Sequence, residues 1–262
     1  MICTIQVDAR ERVALVIGNA DYLVKPLNNP VNDAEDIARA LKELDFDVSL
    51  ITNADQETME SAIQNFGQKL NENSVGLFYY SGHGIQHEGS NYLIPIAAMK
   101  NVQVAKHLRY KAVNAGYVLS EMHQSGLNIV ILDACRSNPF KSFSRSAERG
   151  LAKISGLEGT LIAYSTAPGK VALDGIGRNS PYTKHLISLM KKPNVPIELM
   201  LKEVRTEVKS ETNNKQSPWY EVSIDGEFIF SKKNISNHDS FNKKKISCHG
   251  TDNDPVECLF QK

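Results

Sequence analysis

The sequence is short of cysteine and carries no net charge, and each shortage excludes something. Cys3, Cys135, Cys248 and Cys258 are its only cysteines. They are too scattered for a disulfide framework, and none forms a CxxC pair of the kind that holds zinc. Thirty basic and thirty acidic residues cancel, so total charge points to neither nucleic acid nor an anionic membrane as the main partner. No apolar run is long enough to span a bilayer. The opening MICTIQVDARER lacks the basic segment, long apolar core and small-residue cleavage site of a secretory signal. The expected location is therefore cytoplasmic, with signal-independent export left open. There is no internal repeat, no EF-hand pattern and no His/Cys/Asp/Glu cluster with zinc spacing, so no metal or other cofactor is expected. What remains is an ordinary globular composition over 262 residues, enough to bury a full core.

The pattern along the chain alternates strands with helices. RVALVIGN (12–19) is a short β-branched apolar run that reads as a buried strand. NDAEDIARALKELDF follows with Ala34, Ile37, Ala38, Leu41 and Leu44 at helical spacing, Asn32 as N-cap and Asp33, Glu35 and Asp36 in the first turn. FDVSLIT (46–52) predicts a second strand, QETMESAIQNFGQKL a second helix, and VGLFYY (75–80) a third strand. GIQHEGSNYLIPI has the turn residues of a hairpin lying over the strand ends. AVNAGYVLSEMHQSG reads as helix, LNIVILDAC (127–135) and GTLIAYSTA (159–167) as strands, and SPYTKHLISLMKK and PIELMLKEVRTEVKSE as helices. GEFIFS (226–231) reads as an edge strand. The fold class is α/β, in three layers: a mainly parallel central sheet with helices on both faces. Residues 1–10 form a lead-in, 11–231 the domain, and 232–262 a polar, weakly patterned tail expected to be mobile.

In such sheets, functional groups gather where loops leave the carboxyl ends of strands. YYSGHG presents His83 at one exit and LDACRSNPF presents Cys135 at another. A thiol is a weak nucleophile until an imidazole near neutral pKa removes its proton, so the two make a candidate Cys/His dyad for acyl transfer. Gly82 and Gly84 keep the backbone compact enough for a peptide to approach. The Gly84 and Cys135 backbone N–H groups are the candidate oxyanion donors. Each residue alone has a plainer reading, cysteine as a small buried hydrophobe and histidine as a structural hydrogen-bonding group. Both at strand exits, with a polar loop after the cysteine, favour the dyad. His87, beside Glu88, reads as a solvated surface residue, and His107, His123 and His185 as structural or exposed.

YYSGHG, LDACRSNPF and GTLIAYSTAPGKVALDGIGRNSPYTKHL together resemble the caspase-like cysteine peptidase superfamily, in particular its bacterial metacaspase-like and paracaspase-like members. The resemblance runs over roughly residues 10–230. His83 and Cys135 stand 52 positions apart, close to the caspase separation of about 50. The resemblance implies a caspase-hemoglobinase fold, His83 and Cys135 as catalytic dyad, and peptide cleavage through a thioester. Where animal caspases carry Q-A-C before the nucleophile, this chain has Asp133-Ala134-Cys135. Residues two apart on a strand share a face, so Asp133 can lie beside Cys135 near the bound acyl residue. By the same resemblance, Asp33 and Asp174 fall where metacaspases and paracaspases place acids. Three carboxylates on one pocket select Arg or Lys, opposite to the caspase preference. Each also has a structural reading: Asp33 with the helix dipole, Asp174 in a DG turn, Asp133 on a backbone N–H. Calcium activation is known among metacaspases, but no calcium site is legible. Lys141, Arg145 and Arg149, in the polar stretch after the cysteine, are candidate self-cleavage sites; similar bacterial domains also carry RGLA there, which favours an uncut loop.

The expected activity is a cysteine endopeptidase cutting protein or peptide substrates after Arg or Lys, with no nucleic-acid or membrane partner. Two alternatives stand beside it: a caspase-like scaffold or signalling module with negligible turnover, and an effector protease specific for a single partner. The sequence does not assign an oligomeric state.

Overall fold

Consecutive side chains on the central strands are all buried, which dictates a sheet covered on both faces. The computed structural model describes residues 10–98, 107–135, 158–167 and 172–233, with only the backbone at Cys135. In chain order the elements are β1 (Glu11–Gly18), α1 (Pro30–Lys42), β2 (Asp47–Thr52), α2 (Gln56–Gln68), β3 (Ser74–His87), β4 (Ser90–Leu93), α3 (Leu108–Lys111), β5 (Val113–Asn114), α4 (Ala115–Glu121), β6 (Leu127–Cys135), β7 (Thr160–Tyr164), α5 (Pro181–Met190), α6 (Ile197–Glu211) and β8 (Trp219–Ser223). Along β3, Leu77 and Tyr79 pack under α1, α5 and α6, with Ile129 and Ile131 of β6 beside them. Their neighbours Phe78 and Tyr80 pack under α2 and α4, with Val130 and Leu132. A period of two on strands apolar on both faces produces this two-sided core.

The sheet order among the described residues is β2-β1-β3-β6-β7-β8, with β4 and β5 continuing from the end of β3. Along that order pairing is parallel from β2 through β7 and antiparallel for β8 on β7, while β4 pairs antiparallel with both β3 and β5. The chain leaves β1 through α1 on one face to reach β2, then returns through α2 on the other face to β3. The strand order therefore reverses between β1 and β3, the kind of position at whose carboxyl ends such sheets gather functional groups.

The structure corrects several expectations. β3 does not stop at Tyr80 but runs on to His87, so His83 lies within a strand rather than at its exit. Residues 84–87 then pair with β4 as a hairpin closed by Glu88 (φ 50°) and Gly89 (φ 76°), the two left-handed positions that a tight hairpin turn requires. Helix α1 begins at Pro30, with Asn29 in the cap position instead of Asn32; proline has no N–H to lose and its fixed φ suits the first turn. Of the expected helix around 112–126 only Ala115–Glu121 is α-helical, because Val113 and Asn114 pair with β4 and the Asn114 side chain caps the helix. GEFIFS is not a strand. Arg12 donates to Leu44 O (2.9 Å), Ile229 O (3.0 Å) and Phe230 O (2.7 Å), taking carbonyls a ladder would need. Its guanidinium lies over the rings of Phe46 and the buried Phe228, and the sheet edge is the strand WYEVS. His87 is largely buried rather than solvated, its side chain 14% exposed and 3.6 Å from Glu88. The expected tail after Lys233 and the candidate self-cleavage sites lie outside the described residues.

Candidate active site

β3 and β6 run parallel in a register that sets Ser81 opposite Asp133, Gly82 opposite Ala134 and His83 opposite Cys135. Directly paired parallel strands lie about 4.8 Å apart. Two residues 52 positions apart in sequence are thus neighbours across one ladder at the carboxyl end of the sheet.

The imidazole of His83 is buried, and its surroundings assign its protons. Nε2 lies 2.7 Å from the carbonyl oxygen of Lys25. A carbonyl only accepts, so Nε2 carries the hydrogen and Nδ1 keeps its lone pair. Nδ1 is buried and has no hydrogen-bond partner among the described residues. Lys25 reaches this position with φ 55°, a left-handed backbone that is strained for a side chain of its size. The Tyr22 ring lies against the imidazole, centroids 4.4 Å apart. Burial pushes the His83 pKa below its ordinary value of 6.5; the Lys25 carbonyl opposes this, the Lys25 charge adds to it and Asp174 opposes it. The neutral base is the resting form.

The strand around His83 is held by tyrosine hydroxyls. His83 N–H donates to Tyr22 Oη (3.0 Å), and Tyr22 O–H donates to Ile94 O (3.0 Å), so the phenol is inserted into the β3–β4 ladder. Tyr80 O–H donates to His83 O (2.8 Å). A side chain at Gly82 would sit 2.6 Å from Tyr80 Oη and 2.7 Å from Tyr22 Oη, which is why glycine stands there. Asn19 N–H donates to Ser81 O from the β1 side and Ile94 N–H donates to His83 O. Backbone groups two residues apart point the same way, so β4 lies on the β1 side and the Gly84 N–H turns to the β6 side.

One step back on the same sheet face is a cluster of acids. Asp33, from the first turn of α1, and Asp133 are both buried. Ser180 bridges them: its N–H donates to Asp33 Oδ1 (3.0 Å) and its hydroxyl donates to Asp133 Oδ2. Ser81 Oγ–H donates to Asp33 Oδ2 (3.2 Å). Tyr79 and Thr183 hydroxyls lie 2.5 Å apart, and Thr183 Oγ1–H donates to Asp133 Oδ2 (2.8 Å). Burial and the Asp133 charge push the Asp33 carboxyl up to about 8, against the Ser180 and other hydrogen bonds. Burial raises Asp133 as well, opposed by Ser180 and Thr183. Asp174 is placed differently. It accepts Asn28 N–H (2.8 Å) and Asn29 N–H (3.3 Å) just ahead of α1, so it anchors the loop after β1 to the loop before α5, within electrostatic reach of Asp133 and His83. It also precedes a turn, Gly175 having φ 86°. His107, His123 and His185 take no part; His185 Nε2 pairs with Glu211 at 2.5 Å.

Sequence reasoning missed the supporting shell: Tyr22, Lys25, Tyr80, Ser81, Ser180 and Thr183. Ser180-Pro181 does signal a helix start, and the Ser180 hydroxyl does accept Thr183 N–H at 3.0 Å. That the same hydroxyl reaches Asp133, 47 positions earlier, has no local signal. Tyr22 and the Lys25 carbonyl have none either.

The chain matches the sequence profile of the caspase domain, peptidase family C14, over residues 11–229. It is 31% identical over 129 residues to mucosa-associated lymphoid tissue lymphoma translocation protein 1 of Homo sapiens and to its Mus musculus homolog. Those alignments take in 49% of this chain and 15% of each relative, so the chain spans a small part of the curated relatives it matches. The crystal structure of caspase-1 from Spodoptera frugiperda superposes with a TM-score of 0.63 at 16% identity, covering 86% of this chain and 94% of that one. The likeness to that structure is one of fold. The three-layer architecture follows from it, and with the profile spanning nearly the whole of the described domain, the chain belongs to the caspase domain family of cysteine peptidases.

Proposed function

We propose that this chain is a cysteine endopeptidase that cleaves peptide bonds after Arg or Lys through Cys135 and His83. The observation that carries the reading is the ladder pair His83–Cys135 together with an imidazole whose Nε2–H is committed to Lys25 and whose buried Nδ1 is bonded to no described residue. Nδ1 takes the thiol proton as sulfur attacks the scissile carbonyl carbon. The Gly84 and Cys135 N–H groups are the donors proposed for the oxyanion. As the tetrahedral intermediate collapses, the C–N bond breaks and His83 returns the proton to the leaving amine, which leaves a thioester. Water then attacks the thioester, losing a proton to His83, and the thiol departs protonated. Every proton and the nucleophile come from side chains or water, so the reading calls for no cofactor.

The preference for a basic residue rests on Asp33 and Asp133, one strand step from the dyad on the same face. A guanidinium placed there meets two carboxyl groups already fixed by Ser81, Ser180 and Thr183, and its charge favours their ionised form. Asp174 adds negative charge from the loop rather than a contact of the same kind. The test uses reporter peptides ending in Arg, Lys or Asp, with the parent and Cys135→Ala, in the presence and absence of calcium. Turnover after Arg or Lys that vanishes in the variant is expected. Equal turnover in both proteins would remove the dyad assignment, and preference for Asp would remove the acidic pocket. No turnover at all would turn the reading to a scaffold or to a protease restricted to one partner.

A further inference from the structure

The loop after β1 does more than fill space beside His83. Ala20 O accepts both Tyr22 N–H (2.8 Å) and Leu27 N–H (3.1 Å), which closes residues 21–26 into a compact loop. Asn53 Oδ1 accepts the N–H groups of Ala20 (2.9 Å) and Asp21 (3.1 Å) at its root. Tyr22 and Leu27, at the two ends, pack in a small apolar cluster with Ile85 and Ile94. The loop is therefore fixed at both ends, and the strained Lys25 and the Tyr22 ring grip the imidazole from within it. Between those two contacts, Leu23 and Val24 face solvent, 60% and 46% exposed. Among the described residues the other large exposed apolar side chains, such as Tyr110, Ile176 and Leu199, stand singly in the sequence. Single exposed apolar residues need no explanation, but an adjacent pair on a loop fixed against a catalytic base does.

The chemistry says what would pass by them. The nitrogen that takes the thiol proton must give it to the leaving amine, so the residue on the amine side of the scissile bond lies alongside His83. The residue on the acyl side is directed to the acids, back along the sheet face. The imidazole is walled by the Tyr22 ring and the Lys25 carbonyl, which flank Leu23 and Val24 in the same loop. Resting on the endopeptidase reading above, we infer that Leu23 and Val24 form an apolar subsite for the substrate residue on the leaving-amine side, giving the enzyme a second specificity determinant. Because the loop is already fixed, little ordering remains to oppose binding there.

The experiment compares short peptides that share one acyl half ending in Arg and differ only in the next residue: Gly, Ala, Leu, Phe, Asp or Lys. Products are separated and kcat/KM measured for the parent, for Leu23→Ser/Val24→Ser and for Val24→Lys, with thermal unfolding as a check on folding. In the parent, Leu and Phe are expected to exceed Gly by about 10-fold or more, and the double serine variant to reduce that ratio to about 2, the range a hydrophobic contact supplies. Val24→Lys is expected to move the preference toward Asp, a gain that misfolding cannot imitate. A flat series in the parent, a preference for a charged residue there, or a series unchanged in both variants would overturn the inference while leaving the peptidase reading intact. Failure to cut any peptide of the series would overturn that reading, and this inference with it.

Discussion

Two rows of one sheet face, a single strand step apart, are built in opposite ways. In the inner row Ser81 faces Asp133, and the carboxylates of Asp33 and Asp133 are surrounded by hydroxyl and backbone donors. In the outer row His83 faces Cys135, and its Nδ1 has no hydrogen-bond partner among the described residues. Burial is alike, Asp33 and His83 each being 1% exposed. The difference lies in what each row is prepared for. Donors fixed around a buried acid do the work of lost water, so a cation can enter without rearranging the protein. An unpartnered lone pair costs stability and is tolerated where chemistry needs it.

The largest break falls on the outer row. Cys135→Ala or His83→Ala is expected to lower turnover by about 1,000-fold or more, while peptide binding, measured by competition, changes little. In the inner row, Asp133→Asn keeps an acceptor for Ser180 and Thr183 but removes charge. Its kcat/KM on Arg peptides should fall by about 100-fold, with the loss in KM more than in kcat. If Arg turnover were untouched, the inner row would be a structural network and the contrast between the rows would fail. Gly82 lies between them, and Gly82→Ala would push Tyr22 and Tyr80 off the backbone of His83. A loss of about 1–3 kcal/mol in denaturant unfolding is expected, as for other overpacked sites. Because the acids are untouched, kcat should fall more than KM.

The fold was legible because it is written in local periodicity. LNIVILDAC is β6 from first residue to last, and the helical spacing of Ile197, Leu201, Val204 and Val208 is the buried face of α6. GEFIFS misled because alternation cannot tell a ladder strand from a loop whose Phe228 and Phe230 are buried and whose carbonyls an arginine takes. In the site, the residues proposed to carry chemistry stood out, since a histidine between glycines and a cysteine closing an apolar strand are unusual locally. Those that position them did not. Tyr22, Lys25 and Ser180 act through contacts that span 61, 58 and 47 residues, and Lys25 acts through its backbone, which no side chain advertises. Asp174 shows the limit from the other side: the family resemblance suggests a substrate-facing acid, while its oxygens accept the backbone N–H groups of Asn28 and Asn29.

The finest test of the contrast between rows is pH. Asp33 is pushed up to about 8 from 3.8 by burial and by the Asp133 charge, whereas burial moves His83 down from 6.5. Between the two Asp33 values the folded chain holds a proton that the unfolded chain has released. The stability this gives is complete below 3.8 and is lost as pH rises through about 8. The thermal midpoint should therefore decline across that window, and Asp33→Asn should flatten the decline by removing the linked proton. A bound Arg side chain favours the ionised acids, so KM for Arg peptides should fall several-fold, about 3 to 10, as pH approaches 8. The acid limb of kcat belongs to His83 and lies below its ordinary 6.5, so the two titrations separate in kcat and KM. Asp33→Asn should abolish the KM change and leave the kcat limb in place. A KM for Arg that stays level through this range in the parent would mean that no cation reaches the inner row, and that its donors serve the fold alone.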